Sequence, residues 1–489
     1  MRPNPRSVAW LCWTVLAAGC LDPCAADDPA CAAVPSAAEE VTWRSRTGPS
    51  RRAYLLDELT RHNAPLEATA RRQKYEAMRA SPFAFFRGSA HLFHRDAFGG
   101  PSEAPGPLRR SPFAAPDAVT WVLGDAHTAN FGAFDDDRGQ VVYDLNDFDE
   151  AWVASYVLDV WRLATSVALV AGENGTPDGA ERAELLEALA EGYLSALEGF
   201  RGNDLERDAQ VTEANAYGRL DEFLDEVARD RSRRELLDDW TLVSGGRRRL
   251  RDDDPRLGAA TADERAALAA GVTAYREGLT SDLRRDAGYF RVLDVARRLD
   301  AGTGSLGTAR YYLLVEGPSG SLHDDRILDV KRQGSPSFLR YLSSQARAAY
   351  GARFPEGRAG CRVASAQRAM LARADDHAGC LSALGGSFSV RERTPARETL
   401  DTRGLDSGPR LRHLVAQWAS ILAAAHARAD RDFDPGYVQG SFEDAALRAV
   451  GARRSRFRAE VRQVAVAYAA QVAVDHALFV AALEQGALR

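Results

Sequence analysis

The sequence predicts an α+β fold, on three observations. Helical periodicity dominates residues 51 to about 290. Short β-rich runs separated by glycines take over across 291–395. Helical periodicity returns over 396–489, with alanine as the main small packing residue. The chain has 489 residues, 45% of them hydrophobic and 27% charged, which is ample for a packed core and excludes disorder throughout. A net charge of -6 excludes a protein held to nucleic acid by bulk charge.

The elements follow in order. Residues 52–79 repeat apolar positions at helical spacing. Phe83, Phe85, Phe86 and Phe93 surround Arg87 and Gly88 in a segment too aromatic for a surface loop. A proline-rich connection, 101–116, leads to a short strand at Trp121–Leu123, and Val141–Leu145 reads as a second. Residues 152–171 and 179–200 read as helices, and 204–288 as mostly helical with a solvated basic turn at Arg247–Arg251. Strands follow at Tyr311–Val315, Ile327–Lys331 and Phe388–Arg391, interleaved with helices at 337–350 and 362–373. Helices at about 409–428 and 441–486 close the chain.

The first residues bear on compartment. Arg2 and Arg6 precede an apolar run, Val8 to Ala18, that is too short to span a bilayer and reads as a signal peptide over 1–19. The run ends in Leu16-Ala17-Ala18-Gly19-Cys20, which resembles a bacterial lipobox with Ala17 where leucine is usual. That resemblance implies an exported lipoprotein, anchored to a membrane through lipidated Cys20 and facing the periplasm. Another export signal or a cytoplasmic chain are the alternatives. Residues 20–50, rich in Asp, Ala, Pro and Ser, read as a flexible tether. After export Cys24 could pair with Cys31, and Cys361 with Cys380, though sequence leaves the connectivity open.

Two polar constellations carry chemistry. Gly124-Asp125-Ala126-His127-Thr128-Ala129-Asn130 follows the first strand, and Asp147-Phe148-Asp149-Glu150 follows the second. Asp135 to Gly139 can turn a hairpin between them and set the two loops side by side. Carboxylates and a carboxamide in one place suit a magnesium-dependent phosphoryl transfer site. Asp125 would orient the nucleophile, and Asn130, Asp147 and Asp149 would offer oxygen ligands to the hard cation. The alternative is a surface turn with Asx caps.

The second constellation is Gly302-Thr303-Gly304-Ser305-Leu306-Gly307. A dinucleotide fingerprint runs from a strand into a helix, whereas these glycines lie between probable strands. That suits a phosphate cover formed by Gly302, Gly304, Ser305 and Gly307, with Lys331 on a following strand reaching the phosphates of ATP or another nucleotide. A glycine-rich hairpin with a snorkelling lysine is the alternative.

Phe86-Arg87-Gly88, Gly124 to His127 with Asn130-Phe131-Gly132, Asn146 to Glu150, the run Gly302 to Arg310, and Val330-Lys331 together resemble an uncharacterised bacterial family, domain of unknown function 2252. The resemblance covers roughly 50–485. It implies kinship with the protein-kinase-like and aminoglycoside-phosphotransferase-like superfamily. The HGDxxxxN loop of that superfamily is similar to Gly124-Asp125 to Asn130, with Leu123 for its leading histidine. On that match Asp125 is the catalytic aspartate, Asn130 and Asp147 hold metal, and Asp159 has a structural role.

The implied fold is two-lobed and circularly permuted. The helical large lobe would be split between 51–290 and 396–489, the small lobe would be 291–395, and a hinge would lie at Phe388–Pro395. The helix ending in Ala425-His426-Ala427 would be the one that normally precedes the catalytic loop. The chain departs from the kinase pattern in having no Glu or Asp within 337–350 to pair with Lys331, leaving Glu356, Gln345 or Gln367 as substitutes. The function expected is an ATP- and magnesium-dependent phosphotransferase or nucleotidyl transferase with an unknown acceptor. The alternatives are an inactive kinase-like binding domain tethered to the envelope, and a metal-dependent hydrolase using Asp125, His127, Asp147 and Asp149.

Overall fold

A computed structural model describes Trp43 and residues 47–488, apart from 100–104, 177–178, 231, 281, 286–287, 300–306 and 406–407. The signal-peptide and Cys20 expectations, and Gly302, Gly304 and Ser305, lie outside the described residues, as does most of the tether expected over 20–50. Of that tether, Trp43 packs against Phe93 and Tyr468, and Gly48–Ser50 begin a helix.

The architecture is mixed α+β. Five helices open it: α1 (Gly48–Asn63), α2 (Ala68–Arg79), α3 (Pro82–Gly88), α4 (Ala90–Phe98) and α5 (Pro107–Arg110). Four short strands follow: β1 (Val119–Val122), β2 (Phe131–Asp135), β3 (Val141–Leu145) and β4 (Trp152–Ser155). Next come α6 (Val157–Glu173), α7 (Ala180–Phe200), β5 (Val211–Thr212), α8 (Arg219–Asp230), α9 (Arg233–Trp240), β6 (Thr241–Ser244), β7 (Arg247–Leu250), β8 (Leu257–Ala259) and α10 (Ala262–Glu277). The rest is β9 (Val292–Arg298), β10 (Arg310–Val315), β11 (Arg326–Gln333), α11 (Ser344–Arg353), α12 (Ala359–Met370), β12 (Gly379–Ala383), β13 (Gly386–Glu392), α13 (Pro409–Arg428), α14 (Phe442–Val450) and α15 (Arg454–Glu484).

The main sheet has six antiparallel strands in the order β12-β13-β11-β10-β9-β8. Alternation along its strands sends Leu313, Leu328, Val330, Phe388 and Val390 to one face, against Leu268, Val272 and Tyr275 of α10. Tyr312, Leu314 and Ile327 meet Leu237 and Trp240 of α9 on the other. A separate, larger core joins α6, α7, α13 and α15 through residues such as Trp161, Leu189, Tyr193, Trp418 and Val464. Every residue of α6 from Val157 to Ala171 is buried, because helices pack around it. α15 is long and apolar enough to cross a membrane, yet it packs along α6 and α7.

Several local readings differ from the sequence expectation, one being 152–171, read as a helix, whose first residues form strand β4 before α6 begins. The hairpin turned at Asp136–Gly139 joins β2 to β3, while β1 pairs with β4. Strand β2 hides in sequence because Gly132 interrupts its apolar pattern. The glycine is required there, since a Cβ would lie 2.5 Å from Asn146 Nδ2 and 2.7 Å from the Glu398 carbonyl oxygen. Within 204–288, β5 to β8 interrupt the helices. The basic run Arg247–Leu250 is a strand whose Arg248 is buried and donates to Leu322 O and Thr241 Oγ1. Its signal was the Gly245-Gly246 turn, both glycines at positive φ, between two short alternating runs. Strand β8 and helix α10 also join the sheet region from ahead of residue 291.

Candidate functional site: a charged cleft between sheet and helices

The loop 124–130 is pinned from below. Asp159, fully buried in the first turn of α6, accepts from the amides of Leu123 (2.6 Å) and Gly124 (2.9 Å) and lies 3.1 Å from His426 Nε2. Gly124 has φ +76°, and a Cβ would sit 2.5 Å from the Glu150 carbonyl oxygen. No other residue keeps the two loops this close. Thr128–Asn130 forms a 3-10 turn, from which Asn130 Nδ2 donates to Asp125 O at 2.9 Å. The Asn130 Oδ1 is thereby left for another partner.

Asp125 is held by Arg162 of α6, whose Nε donates to Oδ1 at 2.6 Å. Arg162 is itself fully buried, donates to Phe86 O and lies over the Phe86 ring, 4.0 Å from its centroid. Burial pushes the Asp125 carboxyl up to about 6, although Arg162 pulls the other way. His127 is buried edge-on to Phe83, with Nε2 3.8 Å from Asp125 Oδ1.

The second loop lies beside the first, Asn146 N donating to Asn130 O at 3.0 Å. Arg362 of α12, fully buried, organises it by donating to the carbonyls of Ala151 and Asp149 at 2.6 Å each and to Gly334 O at 3.0 Å. Glu150 accepts from Ser337 N and Oγ, and burial raises it to about 7. Lys331, on β11, reaches across from the sheet. Its Nζ pairs with Asp149 and lies 3.8 Å from Asp147 Oδ2. Gln333, next on the same face, donates to Asp149 Oδ1 at 2.9 Å. Burial works to raise both carboxyls. Lys331 overcomes it and holds Asp149 below the usual range, whereas Asp147 stays raised by burial and by the Asp149 charge.

The structure therefore brings Asp125, Asn130, Asp147, Asp149 and Lys331 together as expected from sequence. Lys331 finds its carboxylate on the loop rather than on a helix. The helix of the stretch in which an acid was sought, 337–350, is α11 and carries none, and α12 contributes Arg362 to the loop backbone. Gly307 is exposed at φ +82° and abuts α2, where a Cβ would lie 2.8 Å from Ala70 Cβ. One helical turn further along α2 is Lys74.

Sequence reasoning missed the other wall of the cleft. Lys74, Arg87, His62 and His91, all from the opening helices, line it with Asp125 and Glu150, around a cavity of about 90 Å3. The His62 and His91 rings stack at 3.8 Å. Burial lowers His91 well below its ordinary value, so that imidazole is neutral, while His62 stacks on it from the exposed side. One signal was available. The chain contains only two lysines, against 61 arginines, and Lys74 and Lys331 both face this cleft. Arginine and lysine are not interchangeable where a compact, rotatable charge is needed.

Among the described residues, the groups of acids and histidines close enough to share an ion lie elsewhere, Asp375-His377-Glu392 and Asp204-Glu206-Asp432. The first is a satisfied network: His377 Nδ1 meets Asp375, its Nε2 meets Tyr289, and Glu392 pairs with Arg233.

Fold and site together define a mixed α+β protein whose cleft joins a strand lysine to a carboxylate-carboxamide loop pair. The chain belongs to the family described as "Uncharacterized protein conserved in bacteria (DUF2252)", whose model matches residues 67–482. No curated protein matches it, and no solved structure does.

Proposed function

We propose that the protein is a magnesium- and nucleotide-dependent phosphotransferase or nucleotidyl transferase, built on a permuted, two-lobed, kinase-like plan. The observation that carries the reading is the meeting of Lys331 with Asp147 and Asp149 beside Asp125 and Asn130. Residues about 180 positions apart in sequence converge on one charged cleft. Supporting it, the 302–307 run lies between β9 and β10, and Lys331 lies on the next strand, β11. Kinases place their lysine likewise on the third strand.

The donor set fits a hard cation. Asn130 Oδ1, Asp147 and Asp149 would hold magnesium, which supplies neutralising charge to phosphate oxygens when bound. The remaining roles belong to the chain. Lys331 offers an ammonium to the nucleotide phosphates once Asp149 turns to the cation. Asp125, fixed by Arg162, orients the acceptor hydroxyl and takes its proton. Asp159 and Arg362 hold the two loops in register.

The inactive, binding-only reading is favoured by one feature. Lys331 is occupied by Asp149, and no helix acid pairs with it. Calorimetry with ATP and magnesium, followed by turnover assays, separates the two. Asp125→Asn is expected to keep nucleotide affinity within threefold and lose about 10²–10⁴ in turnover. Full turnover in that variant would sink the catalytic role.

We further propose an exported, lipid-anchored location. The Cys361–Cys380 disulfide supports it, since such bonds persist in oxidising compartments. Cys20→Ser is expected to move the protein from the membrane to the soluble fraction of cells. A membrane-bound variant would refute the anchor.

A further inference from the structure

Lys74 is the more unusual of the two lysines. It is 5% exposed and makes no hydrogen bond or ion pair among the described residues. Burying an ammonium without a partner costs several kcal/mol. Here the nearby charges of Glu150 and Asp125 offset only part of that cost, and burial takes its pKa down to about 8. Its neighbours are also unsatisfied: Arg87 Nε and His91 Nε2 are buried with no hydrogen-bond partner. Arg87 offers a fork of donors beneath Asp125 and Asp147, whose charges it feels. Three sets of donors converge on one volume, and no protein acceptor answers them.

These donors lie on the opening helices, not on the sheet that carries Lys331. They line one cleft with Asp125, Asn130, Asp147 and Asp149, which they face from the helices rather than from the sheet. An oxyanion there would accept from Lys74 Nζ, from the Arg87 fork and from His91. A neutral acceptor would leave both cations without a hydrogen-bonded anionic partner.

We propose that Lys74 and Arg87 form a second anion seat, separate from the nucleotide's, which recognises a phosphate group on the acceptor substrate. The assignment to the acceptor rests on the phosphotransferase reading, whereas the seat itself does not. A tetrahedral oxyanion suits two cations and an imidazole approaching from different elements better than a planar carboxylate does. The acceptor class is then a phosphorylated small molecule with a free hydroxyl. Its phosphate is held while the hydroxyl lies at Asp125.

The test is calorimetric titration of the purified full chain with inorganic phosphate, first alone and then with magnesium and a non-hydrolysable ATP analogue at saturation. Saturable binding at one site, unchanged by the analogue, is expected. Lys74→Met and Arg87→Met should each weaken phosphate binding at least tenfold while leaving the analogue's affinity within threefold. Lys331→Met should do the reverse. Thermal unfolding of each variant within a few degrees of the parent controls for folding. Should Lys74→Met not fold, Arg87→Lys, which keeps the charge and loses the fork, serves in its place with a smaller loss. The seat is refuted if phosphate fails to bind at 10 mM, if both variants bind it as the parent does, if the analogue displaces it, or if acetate binds as well. Phosphate binding that needs Lys74, in a chain that binds no nucleotide, would leave the seat standing and overturn the phosphotransferase reading instead.

Discussion

Glu460, on α15, accepts from Ser111 Oγ at 2.5 Å and is 5% exposed. Burial pushes its carboxyl from 4.5 up to about 7. The folded chain therefore binds a proton between these values that the unfolded chain has released. Stability falls as pH rises across that window, and the penalty is complete above pH 7. Its upper limit is about 3 kcal/mol. Glu460→Gln keeps an oxygen for Ser111 and removes the charge. It should raise the urea midpoint at pH 8 and leave it nearly unchanged at pH 4.5; equal effects at both would contradict the burial argument. Lys74 and Arg87 belong to the same scale. In sequence Lys74 looks like one more basic residue on a charged helix, and Arg87 is marked only by its aromatic surroundings; the fold brings both to one cleft.

Among the elements, α12 does most to position the site. Its Arg362 ties the 148–151 backbone to Gly334 at the end of β11, so the carboxylate loop and the lysine strand share one brace. Two features press the helix onto the sheet. Gly360 allows an approach in which a Cβ would lie 2.3 Å from the Phe388 carbonyl carbon. Cys361 is bonded to Cys380 of β12, nineteen residues on. Removing both cysteines by Cys361→Ala and Cys380→Ala should cost about 3 kcal/mol by the loop-entropy account. Reductant should bring the parent to the same urea midpoint and leave the variant unmoved. The elements themselves were largely legible. β10, β11, β13, α7, α12 and α13 fall near the positions that periodicity assigns them. The misses, among them β2, β4, β9, β12 and the β6–β7 hairpin, are short strands: a glycine interrupts β2, arginines disguise β7, and β4 runs directly into the apolar helix α6, so that 152–171 reads as one helix.

Across the whole molecule, the first helices are fastened to the last. Arg51 on α1 makes paired hydrogen bonds to Asp96 on α4 and to Asp475 on α15, at 2.5–2.9 Å, and Tyr54 adds a fourth group. All three charged residues are buried. The clamp holds the wall that carries Lys74 and Arg87 against the helical core. Arg51→Met strands two buried carboxylates and should cost about 3–5 kcal/mol in urea unfolding. If the cost is under 1 kcal/mol, the clamp does not hold the wall.

Most of the longer helices and the central strands of the main sheet were legible in sequence, because periods of two and 3.6 are local properties. So was the grouping of Asp125, Asn130, Asp147, Asp149 and Lys331, because the four loop residues flank short strands whose ends lie close. Tertiary structure decided the pairing of β1 with β4 and the exchange of a helix acid for Asp149 as the partner of Lys331. It also decided the placing of α2 and α3 across the cleft from Asp125. Those choices join residues tens to hundreds of positions apart. They are made by which buried charges can find one another once the cores close, a condition no local pattern records.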